Sequence, residues 1–384
     1  MAMLSTNNPR AGQYVKQMTG YRAFIPAPLP PKPPIRVDEA ILALLSRADQ
    51  ALGRLDGLTQ TLPNPDLFVA MYVRREAVLS SQIEGTQSTL DDVLDFELDS
   101  RGQELPQDIE EIVNYVRAMN YGLERLVNLP LSLRLICEIH GELLNGVRGA
   151  ERLPGEFRSS QNWIGEAGAP ISEAIFIPPP VPEMKEALYK LERFMHQERN
   201  MPVLIHCGLV HAQFETIHPF LDGNGRVGRL LITFLLCYRG VIHRPLLYLS
   251  LYLKKHRSQY YDKLMSIREE GDWEGWLKFF LKGVEETAEE ATHTANAIVD
   301  LQEKHKSLIQ DHDLGFNGLR LIELLFNRPL VNVNLVKNEL DIAFATANNL
   351  IREFEKLGLL EETTGGQRNR RYRYTQYLNL FRDE

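Results

Sequence analysis

Cysteine is scarce in this chain, at three in 384 residues. Cys137, Cys207 and Cys237 each lie in an apolar, helix-like stretch, and none has the spacing of a metal site or a redox pair. That leaves out a disulfide framework and a zinc cluster, and it suits small buried hydrophobes in a reducing compartment. No apolar run approaches the roughly 18 residues needed to span a membrane. No charged flank followed by an apolar stretch marks a secretory signal at the N-terminus. The expectation is a cytoplasmic protein without membrane contact. Positive charge is not in surplus either. The formal net charge of −8 argues against a nucleic-acid binder over the whole surface, though it leaves room for a local basic patch.

What the chain does have is helical periodicity. Its length suggests two or three domains, and we divide it into five segments of differing pattern. Residues 1–36 are polar and then proline-rich, with Pro26, Pro28, Pro30, Pro31, Pro33 and Pro34, and read as an extended surface arm. Residues 37–105 form a first helical region, 106–285 a helical core, 286–313 a connecting helix and 314–384 a terminal module. Asp66 to Ile83, Leu131 to Val147, Val181 to Gln197 and Val203 to Ile217 all carry the spacing of one helical face. The helix running on from Asn224 is apolar nearly all round, so it should be central and buried. Between Gly155 and Val181 the pattern breaks, and Gln161 to Ile164 and Ala174 to Ile177 read as a β-hairpin flap. From Leu314 three helices precede two β-leaning runs around the turn Gly365-Gly366, the layout of a winged helix-turn-helix. The fold class is therefore mainly α, a helical core with a short β-hairpin flap and a C-terminal winged helix.

One string of twelve residues, His218 to Arg229, concentrates chemistry. Gly223, Asn224 and Gly225 open a helix, where unobstructed backbone N–H groups and the helix dipole favour an anion. Arg226 and Arg229, three apart, share a helical face and offer fixed positive charge to a polyphosphate. Val227 and Gly228 lie between them, and Val227, like Phe220, suits an anchor on the core. Asp222 is a hard oxygen ligand suited to the magnesium that accompanies ATP. His218 is a group that accepts a proton near neutral pH. The string is not a P-loop, because the Gly-Lys-Ser/Thr ending is missing.

The string resembles the signature of the Fic family, His-x-Phe-x-Asp/Glu-Gly-Asn-Gly-Arg-x-x-Arg, at every defining position, and the likeness extends roughly from Ala70 to Lys282. It implies that His218 deprotonates a Ser, Thr or Tyr hydroxyl of a target protein, or of the chain itself, for attack on the α-phosphate of ATP. The resemblance further implies Asp222 on Mg2+, an anion hole from Gly223 to Gly225, and Arg226 and Arg229 on the outer phosphates. Glycine at 225 favours AMP transfer over phosphate transfer, since phosphate-transferring relatives carry a bulkier residue there. Tyr260 and Tyr261 look like the family's tyrosine pair beside the adenine. The flap would hold the target segment by strand addition, with an extra stretch, Glu166 to Glu173, beyond the compact family version. Ser80, Glu84 and Gly85 resemble the family's inhibitory motif, which implies that Glu84 pairs with Arg229 and blocks the γ-phosphate.

Two other readings stand beside AMP transfer. The terminal module carries Arg368, Arg370, Arg371 and Arg373 in its wing, with Thr346, Asn348 and Asn349 on the helix before it, which suits a DNA-binding regulator. Against that, residues 314–384 hold ten Lys and Arg against nine Asp and Glu. A winged helix also serves as a docking or dimer module, and a homodimer is left open. The second alternative is a hydrolase that removes AMP with the same residues, the inhibitory glutamate positioning a water. His206 and His211 lack zinc-site spacing and read as core histidines.

Overall fold

A computed structural model describes residues 7–61, 65–99, 106–146, 152–166, 168–197, 201–366 and 368–382. The proline-rich arm is more ordered than the sequence suggests. Strands β1 (Asn7–Asn8), β2 (Gly12–Lys16) and β3 (Arg22–Pro26) pair antiparallel in that order, with Tyr14 opposite Phe24. Gly12 permits the return: its φ is +142°, and a side chain there would strike the Ile25 carbonyl oxygen at 2.2 Å. Pro26 ends the last strand and the other prolines follow it, so they do not prevent the pairing.

Helices α1 (Glu39–Thr61), α2 (Pro65–Ile83), α3 (Leu90–Asp99) and α4 (Gln107–Leu126) make the first helical layer, and α5 (Leu133–Leu143) and α6 (Val181–Gln197) follow. Ser132 caps α5, its side chain accepting from the Leu135 N–H, as a Ser before an apolar-periodic run should. Val147, the end of the stretch read from Leu131, and residues 100–105 beside the boundary placed at 105 lie outside the described residues.

At the centre stand α7 (Val203–Ile217) and α8 (Asn224–Tyr238). Every residue of α7 from Leu204 to Ile217 is buried, and α8 is buried from Asn224 to Leu236 apart from Gly225. Helices α9 (Ser250–Lys255) and α10 (Arg257–Glu270) lead to α11 (Trp273–Asp311), which lies along α1 and crosses α7. Gly208 makes that crossing close: a Cβ there would meet Phe280 at 3.0 Å and Leu277 at 3.1 Å. Trp276 is fully buried at the junction and donates its indole N–H to the Gly208 carbonyl at 2.8 Å. A large apolar side chain hidden this way contributes roughly 1.5–3 kcal/mol. Because α11 is one helix of 39 residues, the boundary drawn at 285 falls inside it. The stretch that marked a connection is the later part of that helix, where Ala288, Ala291, Ala295 and Ile298 are buried and most of the polar residues between them face outward.

The flap is slighter than a hairpin. A single bridge joins Ile164 to Phe176, and a 3-10 turn, Ile171–Glu173, occupies the inserted stretch. Phe24 donates its N–H to the Ile177 carbonyl at 2.9 Å, so β3 props the flap from behind. The terminal module is a winged helix-turn-helix: α12 (Gly315–Asn327), β4 (Leu330–Val331), α13 (Val333–Leu340), α14 (Phe344–Lys356), β5 (Glu361–Glu362), β6 (Tyr372–Arg373) and α15 (Thr375–Leu378), with sheet order β4-β6-β5. Among the described residues no helix is long and apolar enough to cross a membrane.

Candidate active site between helices α7 and α8

Two left-handed residues shape the loop. His218 caps α7 with φ +49°, and Gly223 caps the start of α8 with φ +74°. A non-glycine residue in that region is held there by its surroundings. Here the Arg158 Nε and the Asn162 amide donate to the His218 carbonyl at 3.0 and 3.2 Å, and the Asn162 amide also donates to the Phe220 carbonyl at 2.7 Å. Asn224 closes the loop on itself. Its amide donates to the Phe220 carbonyl at 2.9 Å, and its oxygen accepts from the Phe220 N–H at 2.8 Å. Phe220 and Val227 are buried, as anchors must be.

His140 of α5 is a further support. The Gly155 N–H donates to its Nδ1 at 2.8 Å, so Nε2 carries the proton and donates to the Asp222 carbonyl at 3.1 Å. Its ring stacks on Phe220, centroids 3.8 Å apart. Burial pushes His140 down to about 4, so the neutral tautomer persists.

His218 is kept neutral as well. Burial first, then the Arg268 and Arg158 guanidinium groups, push it down to about 3. The ring is therefore unprotonated near neutral pH, as a general base must be before it acts, and a bound polyphosphate, by its negative charge, would raise its basicity. Arg268 is itself buried. It donates to the Glu215 carbonyl at 3.2 Å and lies 3.9 Å over the Phe176 ring, joining the flap to the end of α7.

Both arginines of the string are buried and meet carboxylates. Arg229 donates from Nε to the Ser80 hydroxyl at 2.8 Å and from Nη2 to the Ser80 carbonyl at 3.0 Å and Glu84 Oε1 at 2.6 Å. Loss of water around Glu84 disfavours its charge, yet Arg229 outweighs this and holds the carboxyl below its usual range. Arg226 donates to Glu111 Oε2 of α4 at 3.0 Å. Gly225 faces the Glu84 pair: a Cβ there would lie 2.2 Å from Glu84 Oε1 and 3.0 Å from Arg229 Nη1. Gly228 is equally confined, with Glu215 Oε1 2.2 Å from where its Cβ would be. Gly85 follows Glu84 at φ +107°, a turn that frees the chain from α2.

The tyrosine pair divides. Tyr260 is buried and hydrogen-bonded to His211 Nε2 at 2.9 Å, while His211 Nδ1 meets the Gly228 carbonyl at 2.9 Å. Tyr261 is 38% exposed, with the Arg257 guanidinium over its ring. His206 bonds the Phe194 carbonyl, so both histidines of α7 are core residues. Asp222 accepts from the Gly223 N–H at 2.6 Å and lies 3.7 Å from Arg226.

The string thus gathers a neutral base, a glycine-opened helix N-terminus, an acidic oxygen donor and two fixed cations. Arg158, Asn162, His140 and Glu111 were not visible to sequence reasoning. They come from three separate segments, α4, α5 and the loop after it, and no local spacing marks them.

A loop of this kind between two buried helices defines a Fic fold. A crystal structure of a Fic family protein from Desulfovibrio desulfuricans G20 matches it with a TM-score of 0.57 at 21% identity, over 89% of this chain and 97% of that one. Residues 42–124 match the Fic/DOC family N-terminal region and residues 130–236 the Fic/DOC family itself, while residues 319–373 match an HTH DNA binding domain. The chain therefore carries an N-terminal Fic/DOC region and a Fic/DOC domain. It is 32% identical over 181 residues to the protein adenylyltransferase Fic of Culex quinquefasciatus, covering 46% of this chain and 33% of that protein. It is 30% identical over 211 residues to the protein of the same name from Drosophila grimshawi, covering 53% and 40%. The chain thus spans a third to two fifths of the length of these curated relatives.

Proposed function

We propose that this chain transfers AMP from ATP to a Ser, Thr or Tyr hydroxyl of a protein, itself included, in the cytoplasm, and that Glu84 restrains the reaction. The observation that carries this reading is the Arg229 guanidinium, bonded to Glu84 beside a neutral His218 and an open α8 N-terminus. The target hydroxyl gives its proton to the His218 ring as its oxygen attacks the α-phosphorus. The bond from that phosphorus to the bridging oxygen breaks, and pyrophosphate leaves. Backbone N–H groups of the loop and the cations of Arg226 and Arg229 stabilise the charge on the phosphates. Tyr261, the exposed member of its pair, is available to the adenine, whereas Tyr260 holds α10 to the loop through His211.

The residues present fit magnesium. Asp222 offers one hard carboxylate, and among the described residues no group of three or more His, Cys, Asp or Glu is placed to hold a metal unaided. That suits an ion carried mainly by substrate phosphates and water. Bound there, it would neutralise phosphate charge and orient the leaving group.

While Glu84 occupies Arg229, the γ-phosphate lacks its cation and ATP sits in an unproductive pose. The test is label transfer from ATP labelled at the α- or γ-phosphate, by wild type, Glu84→Gly and Glu84→Gly/His218→Ala. Protein labelled from the α-position alone, strongest in Glu84→Gly and lost with His218, is the expected result. Label from the γ-position means a phosphotransferase. Release of AMP from a modified target, without labelling in any variant, means the hydrolase.

A further inference from the structure

Asp91 and Asp95 are four apart on α3 and share one of its faces. Arg371 and Arg373 are two apart at β6 and share one face of the wing sheet. These faces meet. Arg371 Nη1 lies 2.7 Å from Asp95 Oδ1, Arg373 reaches Asp91, and Arg382 Nη2 lies 3.4 Å from the same aspartate. The contacts are wet: the Arg371 and Asp95 side chains are 34% and 48% exposed, and such pairs contribute little.

Helix α3 is tied to the turn that carries Glu84. The Gln82 amide donates to the Ser88 carbonyl at 2.9 Å, and Thr89, which caps α3, exchanges hydrogen bonds with Asp92. The terminal module also touches α2 itself, where Phe381 meets the Tyr72 ring edge-on at 5.5 Å.

Arg371 has a second environment. It lines a groove of about 730 Å³ between α14 and the wing, together with Asn348, Arg352, Arg368 and Arg370. No acidic side chain lines this groove among the described residues. The near-neutral charge of the module as a whole therefore hides a local concentration of arginine. The charge suits phosphates, and Asn348 on α14 suits base edges.

We propose that this groove takes duplex DNA, and that a phosphate drawing Arg371 off Asp95 loosens α3 and releases Glu84 from Arg229. Many phosphate contacts made together, with release of counterions, outweigh one exposed ion pair. The winged helix is then the input of the brake, a role that rests on the AMP-transfer reading of the site.

The experiment uses the full chain and a mixed-sequence DNA duplex, at low salt and again at moderate salt. DNA is expected to raise transfer from α-labelled ATP about 5- to 20-fold in wild type, within the usual range of coupling between sites, and to leave Glu84→Gly unchanged. Asp91→Asn/Asp95→Asn is expected to be raised without DNA, and Arg368→Glu/Arg370→Glu to lose DNA retention and stimulation together. Coupling between binding equilibria is reciprocal, so Glu84→Gly, which lacks the contact that DNA must break, should bind DNA more tightly than wild type. That readout needs no transfer. DNA retained with equal affinity by both proteins, or not retained at low salt, overturns the proposal. Absence of transfer in every variant, with the affinity difference intact, removes the transfer reading and leaves the coupling.

Discussion

Two arginine–carboxylate contacts flank α2, and they differ in kind. Arg229 is 2% exposed and two further hydrogen bonds to Ser80 fix its plane, so the dry partner of this contact is the arginine, while the Glu84 side chain is 36% exposed. Arg371 and Asp95 meet in water on the far side of α3. In the first, a dry guanidinium must have an anion, so whichever anion is present controls the site. In the second, solvent can replace either partner at little cost, and the contact is free to be exchanged. A stable switch needs both: one contact strong enough to block and one weak enough to be taken away.

The largest expected effect breaks the dry region at its base. His218→Ala in the Glu84→Gly background should cut transfer by about 100-fold or more, the usual worth of a positioned general base, with the melting temperature nearly unchanged. Retained transfer would assign the base elsewhere. Next is the blocking contact. Glu84→Gly should raise transfer by about 5- to 150-fold, and its advantage should survive high salt because Arg229 is screened little. DNA retention at the wing should fall steeply over the same salt range.

Acid sharpens the contrast. His140, His206 and His211 are pushed down to about 4 and His218 to about 3, mainly by burial. Unfolded, these rings titrate near 6.5, so below that pH unfolding takes up protons and stability falls until the folded values are reached. Glu76 and Glu215, raised to about 7 by burial, act in the opposite direction, keeping in the fold protons that the unfolded chain releases. Four histidines against two glutamates leave a net loss of roughly 2–3 kcal/mol per pH unit around pH 5. A melting series through that range should fall, and a rise would show these groups to be hydrated.

Packing separates the regions by a smaller amount. Gly228→Ala drives a methyl into Glu215 and should cost about 1–3 kcal/mol, read from chemical denaturation. Smallest of all, Asp95→Asn at the wing seam should cost less than about 1 kcal/mol, even though we expect it to change regulation.

Much of this was legible in the sequence because the signals are local. Val181–Gln197 and Val203–Ile217 begin and end where the apolar period does, and three helices and a short sheet stand after Leu314 as expected. The order of base, acid, glycines and arginines was readable because helix geometry converts spacing into a shared face. The β-meander at residues 7–26 was not, since two-residue and five-residue strands leave almost no period. The length of α11 was hidden because a polar exposed face looks like a linker.

The sequence by itself determined a mainly helical chain, a Fic loop from His218 to Arg229 and a winged helix at its end. These depend on residues close in the chain, where backbone geometry alone fixes the outcome. Only the tertiary structure decided that Tyr260 is a core residue bonded to His211, that His140 and Arg158 brace the loop, and that the wing arginines lie against α3. Those partners are tens to hundreds of residues apart, and what joins them is the burial of the helices that carry them.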